Sequence, residues 1–281
     1  MTPLQARVGD RIKTGLTYAS LIVACLIALF PLVVIVMAAF KTGTEFNQGR
    51  VLAPPNDWLN LDNFRRAFFE GKMATAFVNT TFILVVSVTG TVLIGSMAAY
   101  AIDRFEFRGR RLILFLFLLA AIAPAVTAQV ATFQIVKSLG LFNTRWSAIA
   151  LFIGTDIVSI YIFIQFMRGI PRALDEAAVM EGASHWRVYR SIILPLLTPA
   201  IATVVIIKGV AIYNEFYIPF LYMPSADLSV VATSLFRFQG PYQTNWQVIA
   251  AGVVITIIPT LLLFLGLQRW VYRGFARGAI K

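Results

Sequence analysis

One cysteine and one histidine are all that 281 residues contain of either type. Cys25 alone cannot close an intrachain disulfide, and a single histidine cannot build a His-rich metal site, which excludes disulfide scaffolds and zinc clusters. Charge is scarce too: 13% of the residues are charged against 59% apolar, and the mean hydropathy is +0.79. That balance excludes a water-soluble enzyme of this length. Acidic residues are the scarcer sign, 13 against 24 basic ones, for a net charge of +11. In a soluble chain this would suggest nucleic acid; in so apolar a chain it reads as basic loops beside a membrane, with no nucleic-acid partner. The 18 glycines and 12 prolines are scattered, so neither a collagen-like repeat nor a low-complexity chain fits.

What is present is a set of long apolar runs. A bilayer core of about 30 Å needs about 20 apolar residues in helical form, and six stretches qualify: 17–40, 77–100, 112–132, 146–166, 196–220 and 248–271. Pro124 and Pro259 fall inside two of them, where kinks rather than breaks are expected. The first run is too long for a signal-peptide core of about 7 to 15 residues and leads straight into Lys41, so it reads as a retained anchor.

Sorting the basic residues orients the chain. With the N-terminus inside, fifteen basic residues mark the inner face, counting Arg269 at the end of the last span, eight lie outside, and only Lys208 is buried at the middle of a span. The positive-inside rule therefore sets both termini in the cytoplasm. The expected organisation is an all-α polytopic membrane protein: a cytoplasmic N-terminus at 1–16, an anchor at 17–40, an external loop with a short amphipathic helix at 41–76, a transmembrane core at 73–270 containing the inner loop 168–191, and a cytoplasmic tail at 271–281.

That inner loop carries the most information. Pro171 suits the first position of a helix, Asp175 and Glu176 are early acids favoured by the helix dipole, and Ala173, Ala177 and Ala178 supply propensity. Gly182 then fits a left-handed ending, and Ser184 can cap a second helix through His185 to Leu194. Pro195 marks the entry to the fifth span. Two short helices joined by small residues form a compact knob, and Ala177, Ala178 and Ala183 let another protein approach the backbone closely.

Glu176-Ala177-Ala178, Gly182 four residues on, and Ile192-Ile193-Leu194-Pro195 after nine more resemble the EAA signature of ABC importer permeases. The likeness to the MalG-like permeases of carbohydrate ABC importers extends from about Phe30 to the C-terminus. It includes Phe30-Pro31, Phe40-Lys41-Thr42, Asn79-Thr80, Ala98-Ala99-Tyr100-Ala101 followed by Arg104 and Phe105, Tyr213-Asn214-Glu215-Phe216, Arg273-Gly274-Phe275 and Gly278-Ala279. Glu181, where the family commonly has Asp, and Tyr213, where many members have Trp, are departures. The resemblance implies a type I importer permease fold with both termini inside, working beside a second permease, a dimeric ATPase and an extracytoplasmic solute-binding protein in a prokaryotic cell membrane. It implies ATPase coupling through Glu176, Ala177, Ala178, Glu181, Gly182 and Ala183, and an ATPase contact by Gly278, Ala279 and Lys281. It also implies contact of the outer loop 221–247, with Pro224, Asp227, Pro241 and Tyr242, with the binding protein. No P-loop pattern G-x-x-x-x-G-K-S/T occurs in the chain, whose nearest pair, Gly71-Lys72, is followed by Met73. ATP and magnesium accordingly belong to the partner, and this chain binds no cofactor.

Within the spans, Asp156, Lys208 and Glu215 stand out. An ionisable group at bilayer depth costs about 2.5 to 3.5 kcal/mol on insertion scales and should face a cavity or a partner. Asp156 and Lys208 either pair between the fourth and fifth helices or line the translocation path. Lys208 and Glu215, seven residues apart, share nearly one helical face, with Tyr213 and Asn214 adjacent. Polar groups beside aromatics suit sugars. The readings left open are import of a sugar or oligosaccharide, import of glycerol phosphate or another polar solute, an ion-coupled secondary transporter, and a membrane scaffold without transport.

Overall fold

The computed structural model describes residues 3–49, 52–122, 128–154, 156–240 and 244–279, with side chains from residue 13 onward except at 263–264 and 267–279. In chain order the helices are α1 (Pro3–Phe40), α2 (Gly43–Asn47), α3 (Asp62–Glu70), α4 (Met73–Arg104), α5 (Arg110–Ile122), α6 (Gln129–Ser138), α7 (Arg145–Gly154), α8 (Ile157–Met167), α9 (Ala173–Met180), α10 (His185–Val188), α11 (Leu194–Leu196), α12 (Thr198–Asn214), α13 (Tyr217–Tyr222), α14 (Val231–Ser234) and α15 (Trp246–Ala279). A π-helical turn, Tyr189–Ile193, joins α10 to α11. Among the described residues the β pairing is one isolated bridge, Gln239 to Thr244.

The chain divides into two compact units, Met1–Gly71 with Leu235–Leu262, and Lys72–Ser234 with Leu263–Lys281. In the first unit α1 is apolar around nearly its whole circumference and stays bare, with Leu26 and Ile27 both exposed, as suits a helix solvated by lipid. Its end is tied down by α3. Asn63, which is buried, donates from Nδ2 to the carbonyls of Ala39 at 2.9 Å and Lys41 at 2.7 Å, and Phe40 packs on the rings of Trp58 and Phe64. Thr42 and Glu45 then form a reciprocal capping box that starts α2.

The second unit is organised around α4. Small residues let other helices approach its backbone: a Cβ at Gly90 would collide with Ile153 of α7, and one at Gly95 would lie 3.3 Å from the ring of Phe163 in α8. Two apolar clusters result. One gathers Ala99 and Tyr100 of α4, Phe163 and Met167 of α8, and Val188, Tyr189, Ile193 and Leu197. The other gathers Ile83 and Val88 of α4, Ile149 and Phe152 of α7, and Ile212 of α12.

Several expected spans prove to be composite. Among the described residues, Lys13–Phe40 and Met73–Arg104 are each long and apolar enough to cross a bilayer. The stretch 146–166, expected as one helix, is instead α7 and α8 meeting at 43°. The pair flanks Asp156, whose backbone leaves helical values at φ −89° and ψ 72°; aspartate has low helix propensity and its carboxylate is engaged elsewhere. The expected 196–220 helix is also divided. Residues His185–Leu196 meet α12 at 71°, so the bend falls at Leu197, beyond the Pro195 at which span entry is expected. Pro199 has no N–H to offer the Pro195 carbonyl, which the Thr198 hydroxyl takes instead at 2.5 Å. At its other end α12 stops at Asn214. Of the 112–132 stretch, α5 and the start of α6 are described, and Pro124 lies outside the described residues. α15 continues through Pro259 and well into the 271–281 segment.

Candidate functional site

The loop between α8 and α12 is built as a helix, an elbow and a second helix. α9 closes with a Schellman motif: Ala183 N–H donates to the Ala178 carbonyl and Gly182 N–H to the Val179 carbonyl, both at 2.9 Å. Gly182 is left-handed, at φ +81°, and nothing lies within 4 Å of where its Cβ would be. Backbone conformation, not space, therefore selects glycine. Ala178 and Ala183, the residues bridged by the outer bond of the motif, both pack against the first apolar cluster, and a larger side chain at either would push the elbow off. Ser184 then caps α10 by accepting from Arg187 N–H at 3.3 Å.

The other half of the loop faces outward. Glu176, Ala177, Glu181 and Gly182 are exposed, as are the apolar Leu174, Val179, Met180 and Trp186, with Met180 at 88%. α9 contains no fully buried residue. Beside it a cleft of about 520 Å³ is lined by Tyr100, Phe105, Asp175, Glu176, Met180 and His185 among others. Charge gathers at the base. Arg104 Nε lies 2.5 Å from Asp175 Oδ2 and Arg104 Nη1 3.1 Å from Asp103 Oδ2. The Arg104–Asp175 contact is ionic without hydrogen-bond alignment, since neither Arg104 Nε nor the two Asp175 oxygens make an aligned bond. Burial pushes the Asp175 carboxyl above its ordinary value, outweighing the pull of Arg104 and then Arg172 in the other direction. Sequence reasoning passes over this cluster: Asp175 reads only as a helix-dipole acid, Arg104 only as an inner basic residue in the stretch that follows Ala98-Ala99-Tyr100-Ala101, and Asp103 carries no reading. An adjacent pair of opposite charges at the end of a span is the one signal that could have found it.

A second polar feature lies between the apolar clusters. Lys208 Nζ of α12 stands 3.2 Å from Asp156 Oδ1, with the two side chains 16% and 5% exposed, and Asp156 Oδ2 is buried with no hydrogen-bond partner. Glu215, expected on the Lys208 face of one helix, is elsewhere. The helix ends before it, Glu215 is extended at ψ 116°, and its Oε1 accepts from the N–H groups of Tyr217 at 2.8 Å and Ile218 at 3.1 Å, which starts α13. Asn214, exposed, donates back to the Val210 carbonyl, and Tyr213 is half-buried. Gly278 and Ala279 continue the α15 backbone; Lys281 lies outside the described residues.

The segment after α13 is pinned to α4. Lys72 Nζ reaches Asp227 Oδ1 at 2.8 Å, the buried Asn79 donates to the carbonyls of Asp227 and Ser229 at 2.9 Å, and Val231 N–H donates to Thr80 Oγ1 at 2.9 Å. Asn143 adds bonds to Ser225 through both ends of its amide. Asn79-Thr80 thus earns its place by holding a loop. Pro241 and Tyr242 lie outside the described residues.

The polytopic membrane-helix bundle with its helix–elbow–helix loop is that of a transport permease, the class to which the chain's family and its relatives belong. The chain belongs to the family of binding-protein-dependent transport system inner membrane components, whose model matches residues 91–277. It is 32% identical over 257 residues to the arabinooligosaccharides transport system permease protein AraQ of Halalkalibacterium halodurans, covering 91% of this chain and 92% of that one. It is 28% identical to the maltodextrin transport system permease protein MalD of Streptococcus pneumoniae, covering 96% of each chain. It is 27% identical to the diacetylchitobiose uptake system permease protein NgcG of Streptomyces coelicolor, over 97% of this chain and 91% of that one. Its fold matches a chain in the crystal structure of a bacterial ABC transporter involved in alginate import, with a TM-score of 0.79, 22% identity and coverage of 93% and 97%.

Proposed function

We propose that this chain is one of two permease subunits of an ATP-driven, binding-protein-dependent importer for a sugar or oligosaccharide in a prokaryotic cell membrane. It crosses the bilayer six times with both termini in the cytoplasm. The loop 168–191 seats on a dimeric ATPase that holds ATP and magnesium, with Glu176, Ala177, Ala178, Glu181, Gly182 and Ala183 at the contact and Gly278, Ala279 and Lys281 reaching the same partner. The observation that carries this reading is the α9 elbow. Ala178 and Ala183 face the body while Glu176, Ala177 and the apolar Leu174, Val179 and Met180 stand bare, which suits a helix covered by another subunit.

The substrate class rests on the relatives, whose names speak of arabinooligosaccharides, maltodextrin and diacetylchitobiose. The pinned 222–231 segment faces the binding protein. Asp156 and Lys208 form an ion pair that holds α12 to the α7–α8 bend, and Tyr213, Asn214 and Glu215 border the path beyond it. The test is ATP hydrolysis by the whole complex in vesicles, with its binding protein, across a panel of mono- and oligosaccharides and a glycerol phosphate. Stimulation by one or more sugars is expected; a response confined to glycerol phosphate would replace the substrate assignment.

A further inference from the structure

α9 has no buried residue to root it, so what joins it to the membrane helices is Ala178 packing and charge. The charge converges on the last residue of α4. The Arg104 side chain, 6% exposed, contacts Asp175 of α9 through Nε, donates from Nη2 to the Ile170 carbonyl at 3.0 Å, and donates from Nη1 to its neighbour Asp103 at 3.1 Å. The loop returns the grip: Arg172 Nη2 donates to the Asp103 carbonyl at 2.8 Å. One guanidinium thus spans the start of the loop, its first helix and the end of α4. A lysine ammonium, compact and on a single stem, cannot offer the same divergent fork.

We propose that Arg104 is a positioning residue that carries displacement of α9 into α4, acting as a strut between the loop and the helix against which α7, α8 and α12 pack. The idea rests on the reading of α9 as the ATPase-seating helix. Pushing on α9 moves α4 through the Arg104–Asp175 contact. Without that contact α9 can shift over the body while α4 stays behind, so ATP is hydrolysed and solute is not moved.

The experiment uses the assembled complex in vesicles with its binding protein, tested on the panel sugar that stimulates it most. It reads solute imported per ATP hydrolysed, together with subunit co-purification. Arg104→Gln and Asp175→Asn are expected to assemble and hydrolyse ATP while the import ratio falls by about tenfold, within the usual range for a lost coupling contact. Arg104→Lys is expected to fall between these and the unaltered chain. A structural role is separated by a reversible link: Arg104→Cys with Asp175→Cys, in a chain carrying Cys25→Ser, joined by a short bis-methanethiosulfonate reagent. Linking is expected to raise the import ratio and reduction to abolish the gain. An unchanged ratio in Arg104→Gln, or equal ratios with the link present and cleaved, would overturn the strut. Glu176→Lys, run alongside, separates the two ideas. If it leaves uptake intact the seating of α9 fails; if it abolishes uptake while Arg104→Gln is neutral, only the strut fails.

Discussion

The two helices of the loop are attached to the protein by opposite means. α10 and the π turn after it sink Val188, Tyr189 and Ile193 into the apolar cluster, whereas α9 buries nothing fully and is held by Arg104, Asp103 and Arg172. Apolar burial roots an element in the core, and moving it means opening a cavity. Ionic and backbone contacts at the edge of the fold let an element shift and return without emptying the core. In the proposed role, where the loop receives force on one side and stays anchored on the other, one helix of each kind is what the work requires.

Charge also holds the interior, and there the contrast is put under the greatest stress. Removing one partner of a buried pair strands the other, at a cost of about 3 to 5 kcal/mol. Asp156→Asn and Lys208→Met are each expected to lower the thermal midpoint of the detergent-solubilised complex sharply, and the double variant to recover part of the loss. Strictly additive losses would remove the pair from the account. Next comes the apolar root: Ile193→Ala empties a fully buried site and should cost about 2 to 5 kcal/mol, visible in the same melting experiment. Arg104→Gln also strands two carboxylates, Asp103 and Asp175, but at the edge of the fold, where a shift of α9 lets water reach them, and should lower the melt by less than Ile193→Ala does. If both variants melted alike, the distinction between the two helices would collapse.

Smaller effects sharpen the picture at the elbow. Gly182→Ala forces an L side chain into a left-handed position, at about 1 to 2 kcal/mol, and is expected to depress uptake without any steric clash; Gly182→Asn should retain more. Equal uptake in both would show that space, not conformation, matters there. Ser184→Ala removes a helix cap, typically about 1 kcal/mol, and should shift the melt by only a few degrees. The smallest effect is predicted for Lys72→Met, since its ion pair with Asp227 is exposed on both sides and such pairs give at most about 1 kcal/mol.

Much of this was legible from the residues. The helical, membrane-embedded class followed from apolar run length, and the α9 elbow from Pro171, Gly182 and Ser184, because propensity and capping are local properties. Asp156 and Lys208 stood out because a charge in an apolar run has no bland explanation. Arg104 and Asp175 did not: in a charged loop two more charges look ordinary, and their meeting depends on how α9 folds back on α4. The bends at Asp156 and Leu197 and the early end of α12 escaped for a related reason. Hydropathy averages over twenty residues, whereas a helix is broken by two or three backbone groups finding other partners, as Glu215 does with Tyr217 and Ile218.

The measurement that bears most directly on the whole reading is ATP-driven sugar uptake by the reconstituted complex carrying Glu176→Lys. Glu176 is exposed at the bare face of α9, and among the described residues its side chain makes no hydrogen bond or ion pair, so the variant should assemble normally. Loss of uptake with the subunits still co-purifying is the predicted result. Uptake at the unaltered level would contradict the assignment of this loop as the place where the ATPase acts.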